Sequence, residues 1–434
     1  MSLWRMILTA VNLVGLRFGG AAIGLVSQIL LARMLPQADV GVVFMGLSAA
    51  SLISLVMTAG YPPLTMTLLP RYYTLGRKSL VKAVHRAVWR DWTKAMVVLT
   101  IILVAAYIWL PLNEGLRTAL LFGTIMAPAA SLIRVSSSVA NSRRRFTLSY
   151  VPDFLFRPGL LMIFLLASWL ASAKPPVEAV LWAAVAITAG VALVQTVILG
   201  KDALPDSLRA GRHELGPVVR SRAFSLVVVN GVAASFADIV TMIGGLFLSP
   251  DDVAELGIAI RLAAIAGFVI QATQNFVLPD LLAAVTKGDR PTANTLLLRI
   301  NLIGLTAIGA CTLGAIFFGP LFLSIFGTQY HDAHWPLVLF MVSQLFRAAG
   351  GMNHHLLSID GYQARSANSC IFALAVLASA AMALTPHFGV TGMAMAVLIA
   401  DISWAGALGL QAQRYSGYRG DIFAVLRRRI VPAE

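Results

Sequence analysis

Charge is what this sequence has least of. Asp, Glu, Lys and Arg make up 12% of its 434 residues, against about 25% in a soluble domain. Hydrophobic residues make up 58%, and mean hydropathy is +0.81. Apolar stretches of about 20 residues recur along the whole length, which indicates a polytopic, all-α membrane protein. Cysteine is also scarce. Cys311 and Cys370 both fall in apolar stretches, and no disulfide framework or metal spacing can be built from them. The seven histidines, among them His331, His334 and His354-His355, have no carboxylate or cysteine constellation beside them, so no metal site is expected. No Walker A motif occurs, so the chain is not expected to hydrolyse ATP. The short outside loops leave no room for an external catalytic domain. An enzyme is therefore not expected, nor a cofactor beyond H⁺ or Na⁺ used for coupling.

Twelve spans are predicted near 10–32, 40–60, 95–112, 118–140, 147–170, 177–199, 223–247, 256–278, 300–322, 336–358, 366–384 and 390–410. The first follows a short tail with Arg5 and is long enough to cross, so it reads as a retained helix rather than a cleavable signal. The net charge of +14 lies in alternate connections. With the N-terminus inside, the inner segments hold 25 of the 33 Lys and Arg and the outer loops three. That is the positive-inside pattern of a membrane protein with both termini cytoplasmic, not the footprint of nucleic-acid binding. Seven acids, including Asp39, Asp251, Asp252 and Glu255, sit in the outer loops.

An internal echo divides the chain. Leu35-Pro36-Gln37-Ala38-Asp39-Val40 is answered by Leu248-Ser249-Pro250-Asp251-Asp252-Val253. The turn Thr74-Leu75-Gly76-Arg77 is answered by Thr286-Lys287-Gly288-Asp289-Arg290. The expected organisation is an N-terminal six-helix bundle (1–199), a cytoplasmic linker (200–222), a C-terminal six-helix bundle (223–410) and a cytoplasmic basic tail (411–434). An even number of spans per half relates the halves by a pseudo-two-fold axis along the membrane normal.

The remaining five basic residues are arginines inside apolar spans: Arg17, Arg134, Arg157, Arg261 and Arg347. Three acids share that environment, Asp153, Asp238 and Asp401, with no lysine or glutamate. A charge there costs about 2.5–3.5 kcal/mol on insertion scales. The excess of guanidinium groups therefore suggests a bound anion. Arg17, Arg134 and Arg261 lie near enough to span ends that snorkelling and cavity lining both remain open. Arg157 and Arg347 lie about three turns from either end. Arg157 has Asp153 at i−4 on the same helix face, between Pro152 and Pro158, which should disturb the helix. Arg347 has only Gln344 nearby, followed by Ala-Ala-Gly-Gly, which suits close helix approach. Asp238 and Asp401, with Asp153, are candidates for ion coupling or for structural pairing. Asn230, Gln271 and Asn275, with Asn301, add neutral donors. Together with arginine forks, which meet phosphate oxygens bidentately, they suit a phosphorylated sugar, although amides also bind neighbouring helices.

Leu31-Ala32-Arg33-Met34-Leu35-Pro36-Gln37-Ala38-Asp39-Val40-Gly41 resembles the turn after the first helix of polysaccharide-transport flippases. Ala237-Asp238-Ile239-Val240, Leu248 to Val253 and Ala259-Ile260-Arg261-Leu262 resemble their seventh and eighth helices. Ile325-Phe326-Gly327-Thr328-Gln329-Tyr330 resembles their FG-x-x-Y element. The sequence is thus similar, in register over nearly its whole length, to Wzx-like members of the multidrug/oligosaccharidyl-lipid/polysaccharide (MOP) exporter superfamily. The resemblance implies twelve helices in two six-helix bundles around a V-shaped central cavity. It implies flipping of an undecaprenyl-pyrophosphate-linked oligosaccharide across the bacterial inner membrane by alternating access. It also implies membrane lipids, a polysaccharide polymerase and chain-length or export proteins as partners. Arg17, Asp238 and Arg261 match family-like positions, whereas Arg134, Arg157 and Arg347 stand on their burial alone. Lipid II flippases have two further C-terminal helices, which puts lipid II as substrate in doubt. A cation-coupled drug exporter is the alternative; its ligands would favour an acidic or aromatic lining, and the arginine excess argues against it. A membrane glycan polymerase, or a scaffold, is a more distant one.

Overall fold

The computed structural model describes residues 3–58, 60–110, 112–200, 231–416 and 419–424, with the backbone alone at 3–14, 17, 233 and 275. The linker at 201–222 and Asn230 lie outside the described residues. All the described elements are helices, and eight of them are long and apolar enough to cross a membrane. They group into two compact units, Met1–Met242 and Ile243–Glu434.

The first unit contains α1 (Leu3–Met34), α2 (Gln37–Met57), α3 (Tyr61–Thr74), α4 (Lys78–Trp109), α5 (Glu114–Ser142), α6 (Phe146–Leu170) and α7 (Val177–Leu199). The helix α8 (Phe236–Phe247) crosses the boundary. Gly60, at φ +79, and the Pro62-Pro63 pair in the first turn of α3 break α2 from α3. Proline is tolerated there because the first-turn N–H groups have no helical partner. The basic stretch from Arg71 to Lys94 is mostly helical, and only residues 75–77 form a turn. Small residues let α2 and α5 close on each other. A Cβ placed at Gly123 would stand 2.5 Å from that of Ala49, the close approach expected of helices packed in lipid.

The second unit contains α9 (Pro250–Thr286), α10 (Arg290–Ser324), a 3₁₀ turn (Thr328–Ala333), α11 (His334–Ala349), α12 (Asn353–Ile359) and α13 (Gln363–Tyr415). Two spans run together in α13, with a kink at Gly389 (φ +55, ψ −135). Counting α11 with α12 as one crossing and α13 as two, and setting α3 aside as the continuation of α2, the order accommodates the twelve predicted spans.

The two units repeat their turns. Gln37 and Pro250 start long helices 213 residues apart, and Gly76 (φ +64) and Gly288 (φ +71) close the turns that follow. Left-handed residues recur again at Arg144 (φ +60) and Gly361 (φ +82), and at Ser172 (φ +53) and Gly389 (φ +55). The motif residues mostly serve as anchors. Leu31, Leu35 and Val40 are buried, as are Leu248 and Val253. Ser249 and Asp252 form a capping box at the start of α9. In the FG-x-x-Y element, Phe326 and Tyr330 are fully buried, so this signature is a packing device.

Residues 419–424 fold back on to the second unit. Gly420 accepts from Asn301 Nδ2 at 2.8 Å and donates to Asn353 Oδ1 at 2.7 Å, while Ile422 joins a core with Leu281, Leu297, Met352 and Leu356. The two glycines after Ala349 have different causes. Gly350 packs against Ala405 of α13, as close helix approach predicts. Gly351, at φ +63, breaks α11 from α12, and a Cβ there would collide with the Gly420 carbonyl. Asn301 is likewise consumed by the backbone of the chain's own C-terminal segment.

Candidate functional site

Among the described residues, Arg134, Asp153, Arg157 and Asp238 of the first unit form one network. Three serines on α2, Ser48, Ser51 and Ser54, are spaced by three and run along one slanted row of the helix. Arg134 of α5 donates from Nε to Ser54 Oγ and from Nη2 to Ser51 Oγ, both at 3.0 Å. Ser48 donates to Asp238 Oδ1 at 3.1 Å. Arg134 is in turn coupled electrostatically to Asp153, Arg157 and Asp238. Arg134 is therefore held across the α2–α5 seam and does not reach for a span end. Two guanidinium groups and two carboxylates balance each other here.

The Arg157–Asp153 pair forms as its spacing predicts, with Nη1 to Oδ1 at 2.7 Å. The prolines shape it. Pro152–Phe156 is a π-helical turn, closed by the Arg157 N–H on the carbonyl of Pro152 five residues back. Pro158 has no N–H, so the Phe154 carbonyl loses its α-helical donor. Gly20 of α1 packs on that carbonyl, where a Cβ would come within 2.5 Å of the oxygen. Only glycine permits this approach, which brings a Cα–H toward that carbonyl. The side chains of Arg157 and Asp153 stay 27% and 39% exposed. Charged groups in spans are expected to face a bundle interior or a water-filled cavity rather than lipid. Arg157→Gln alone should destabilise the protein more than Arg157→Gln with Asp153→Asn, because the single change strands a carboxylate and the double does not. Melting curves of the two variants check this, and equal curves would remove the pair from the network.

In the second unit, Arg347 of α11 lies over the ring of Trp404 on α13, 5.4 Å from its centroid, a cation–π distance. One turn earlier, Ser343 donates to Asp401, which is 3% exposed. Arg347 also acts electrostatically on Asp401. The acid that the sequence neighbourhood of Arg347 lacks comes from α13. Trp404 Nε1 is buried with no hydrogen-bond partner, leaving an indole donor beside the guanidinium. Gln344 packs against Gly267 of α9.

Arg261 donates to the carbonyl of Gly257, one turn back toward the start of α9, at 3.0 Å. That is the direction in which a snorkelling side chain turns. Gln271 is exposed on α9. The side chains of Asn275, one turn further on, and of Arg17 lie outside the described residues. The amide on α9 that does reach across is Gln274, which donates to the Gly351 carbonyl at 3.4 Å. Ser48, Ser51, Ser54, Ser343 and Trp404 do not stand out in the sequence. Only the three-residue spacing of the α2 serines is a signal that could have found them. Among the described residues, no cluster of three His, Cys, Asp or Glu could hold a metal.

No family model and no curated relative matches the chain. Solved structures do. An inward-facing multidrug resistance MATE family transporter of the MOP superfamily matches with a TM-score of 0.73 at 14% identity, over 95% of this chain and 96% of that one. The lipid II flippase MurJ, in an inward closed conformation, matches at 0.65 and 13% identity, over 93% and 87%. A MOP superfamily transporter from Pyrococcus furiosus, described as having a binding pocket of reversed polarity, matches at 0.55 and 15%, over 93% and 95%. What the chain shares with them at this identity is the twelve-helix transporter fold.

Proposed function

We propose that the chain is a flippase that moves an undecaprenyl-pyrophosphate-linked oligosaccharide across the bacterial inner membrane by alternating access, coupled to H⁺ or Na⁺. One observation carries the choice of an anionic substrate. Span arginines outnumber span aspartates five to three, and every one of those aspartates is engaged by a side chain of its own unit. Asp153 binds Arg157, Asp238 accepts from Ser48 and Asp401 accepts from Ser343. An excess of guanidinium over carboxylate groups favours a pyrophosphate over a cationic drug. The solved lipid II flippase lends support to a lipid-linked cargo, and the pocket of reversed polarity in another solved transporter fits a fold whose pocket charge varies. In this reading Arg134, Arg157 and Arg347 belong to the substrate path, and Asp238 and Asp401 are the coupling candidates.

A second reading, a cation-coupled multidrug exporter, draws on the likeness to a multidrug resistance transporter and on the buried acids. Reconstitution separates the two. Purified protein in liposomes should expose undecaprenyl-pyrophosphate-linked oligosaccharide to an external glycosidase faster than protein-free liposomes do. Efflux of a cationic dye under an ion gradient, with the glycolipid left unmoved, would overturn the proposal in favour of the second reading.

A further inference from the structure

The first unit contains a cavity of about 670 Å³ that the transport network does not use. It lies among α1, α6 and α7. Arg144 and Arg145 stand at one end, in the turn before α6, and Leu16, Val151, Phe156 and Ile198 line the rest. From Phe146 to Phe156 the lining follows α6 for roughly 15 Å, at 1.5 Å per residue. The cavity is therefore polar at one end and apolar along its length. Its side is open, since Phe156 is 53% and Ile198 58% exposed. Among the lining residues only Thr147 adds an uncharged polar group, so a sugar would find almost no hydroxyl or amide partners.

The basic end is built against a backbone preference. Arg144 has φ +60, and the corresponding turn of the second unit uses Gly361 at φ +82. A left-handed conformation is costly for a residue with a Cβ and free for glycine. An arginine stands where the fold would be easier with glycine, at the mouth of an apolar slot. Its neighbour Arg143 is turned away, donating to Tyr73 Oη at 3.2 Å and lying over that ring.

From this we infer that the cavity is a binding site for an anionic phospholipid, with the phosphate at Arg144 and Arg145 and the upper acyl chain along α6 toward Phe156. Basic pockets between spans on the positively charged side of a membrane protein are suited to such headgroups. The inference does not depend on which substrate is transported. The lipid would also rest on Pro152 and Phe156, the ends of the π-helical turn that carries Asp153, so its occupancy would brace the backbone beneath the ion pair.

The test is native mass spectrometry of the purified full chain in detergent, titrated with phosphatidylglycerol, phosphatidylethanolamine and undecaprenyl phosphate. Phosphatidylglycerol should bind in preference to phosphatidylethanolamine, and Arg144→Gly with Arg145→Gln should weaken it on the order of tenfold or more. Arg144→Gly alone should also weaken it while melting at the same temperature as the parent or higher, which separates lost binding from lost folding. Equal affinity for the two phospholipids, unchanged affinity in the double variant, or retention of undecaprenyl phosphate alone would each overturn the inference.

Discussion

Arg347→Ala is expected to lower transport on the order of a hundredfold, because truncating one partner of a desolvated charged contact costs about 2–5 kcal/mol and each 1.4 kcal/mol is tenfold. The difficulty is that Arg347 has a second role in view. It offsets the buried charge of Asp401 and stacks on Trp404, so its loss also destabilises α11 against α13. A paired variant separates the roles. Asp401→Asn keeps the shape and the acceptor for Ser343 but removes the charge that Arg347 balances. Arg347→Ala with Asp401→Asn should therefore insert and melt close to the parent yet still fail to flip the glycolipid. Recovery of parental transport in the double variant would show that Arg347 serves Asp401 and nothing else, and the anion reading would lose one of its arginines.

Arg134→Leu is expected to have the largest effect on stability. Its guanidinium group makes two hydrogen bonds to α2 and faces the acids of α6 and α8. Removing one member of a buried charge network costs about 3–5 kcal/mol. For a unit of this size that corresponds to a melting temperature lower by on the order of 10 °C. Arg134→Lys should recover little, since a single ammonium cannot span Ser51 and Ser54 as the planar fork does. Arg134→Leu with Asp238→Asn should recover more, because a carboxylate that Arg134 attracts is removed together with it. A parental melting curve for Arg134→Leu would show that the network is not holding α2 to α5.

These two arginines show how far burial read from sequence can go. Their positions within apolar spans already mark both as unusual in the sequence. Whether Arg134 snorkels depends on what α2 presents opposite it, and the serines that answer lie 80 and 83 residues away. Arg261 poses the same question, and its bond to Gly257 turns it toward the span end.

Local chemistry settles what depends on neighbours in the chain. The hydrophobic runs fix the helices, since a bilayer leaves backbone groups no other partner. The i, i+4 spacing fixes the Asp153–Arg157 pair, and the flanking prolines announce a disturbed helix, whose π-helical form only the structure shows. The echoed turn motifs at Gly76 and Gly288 reappear as left-handed turns, one in each unit. The tertiary structure decided which charges cancel. Asp401 reaches Arg347 because α11 packs on the second arm of α13, and Arg134 and Asp238 meet along one row of serines on α2. Electrostatic partnership depends on distance in space, and in a bundle of long helices that distance is set by packing between segments that the sequence holds far apart.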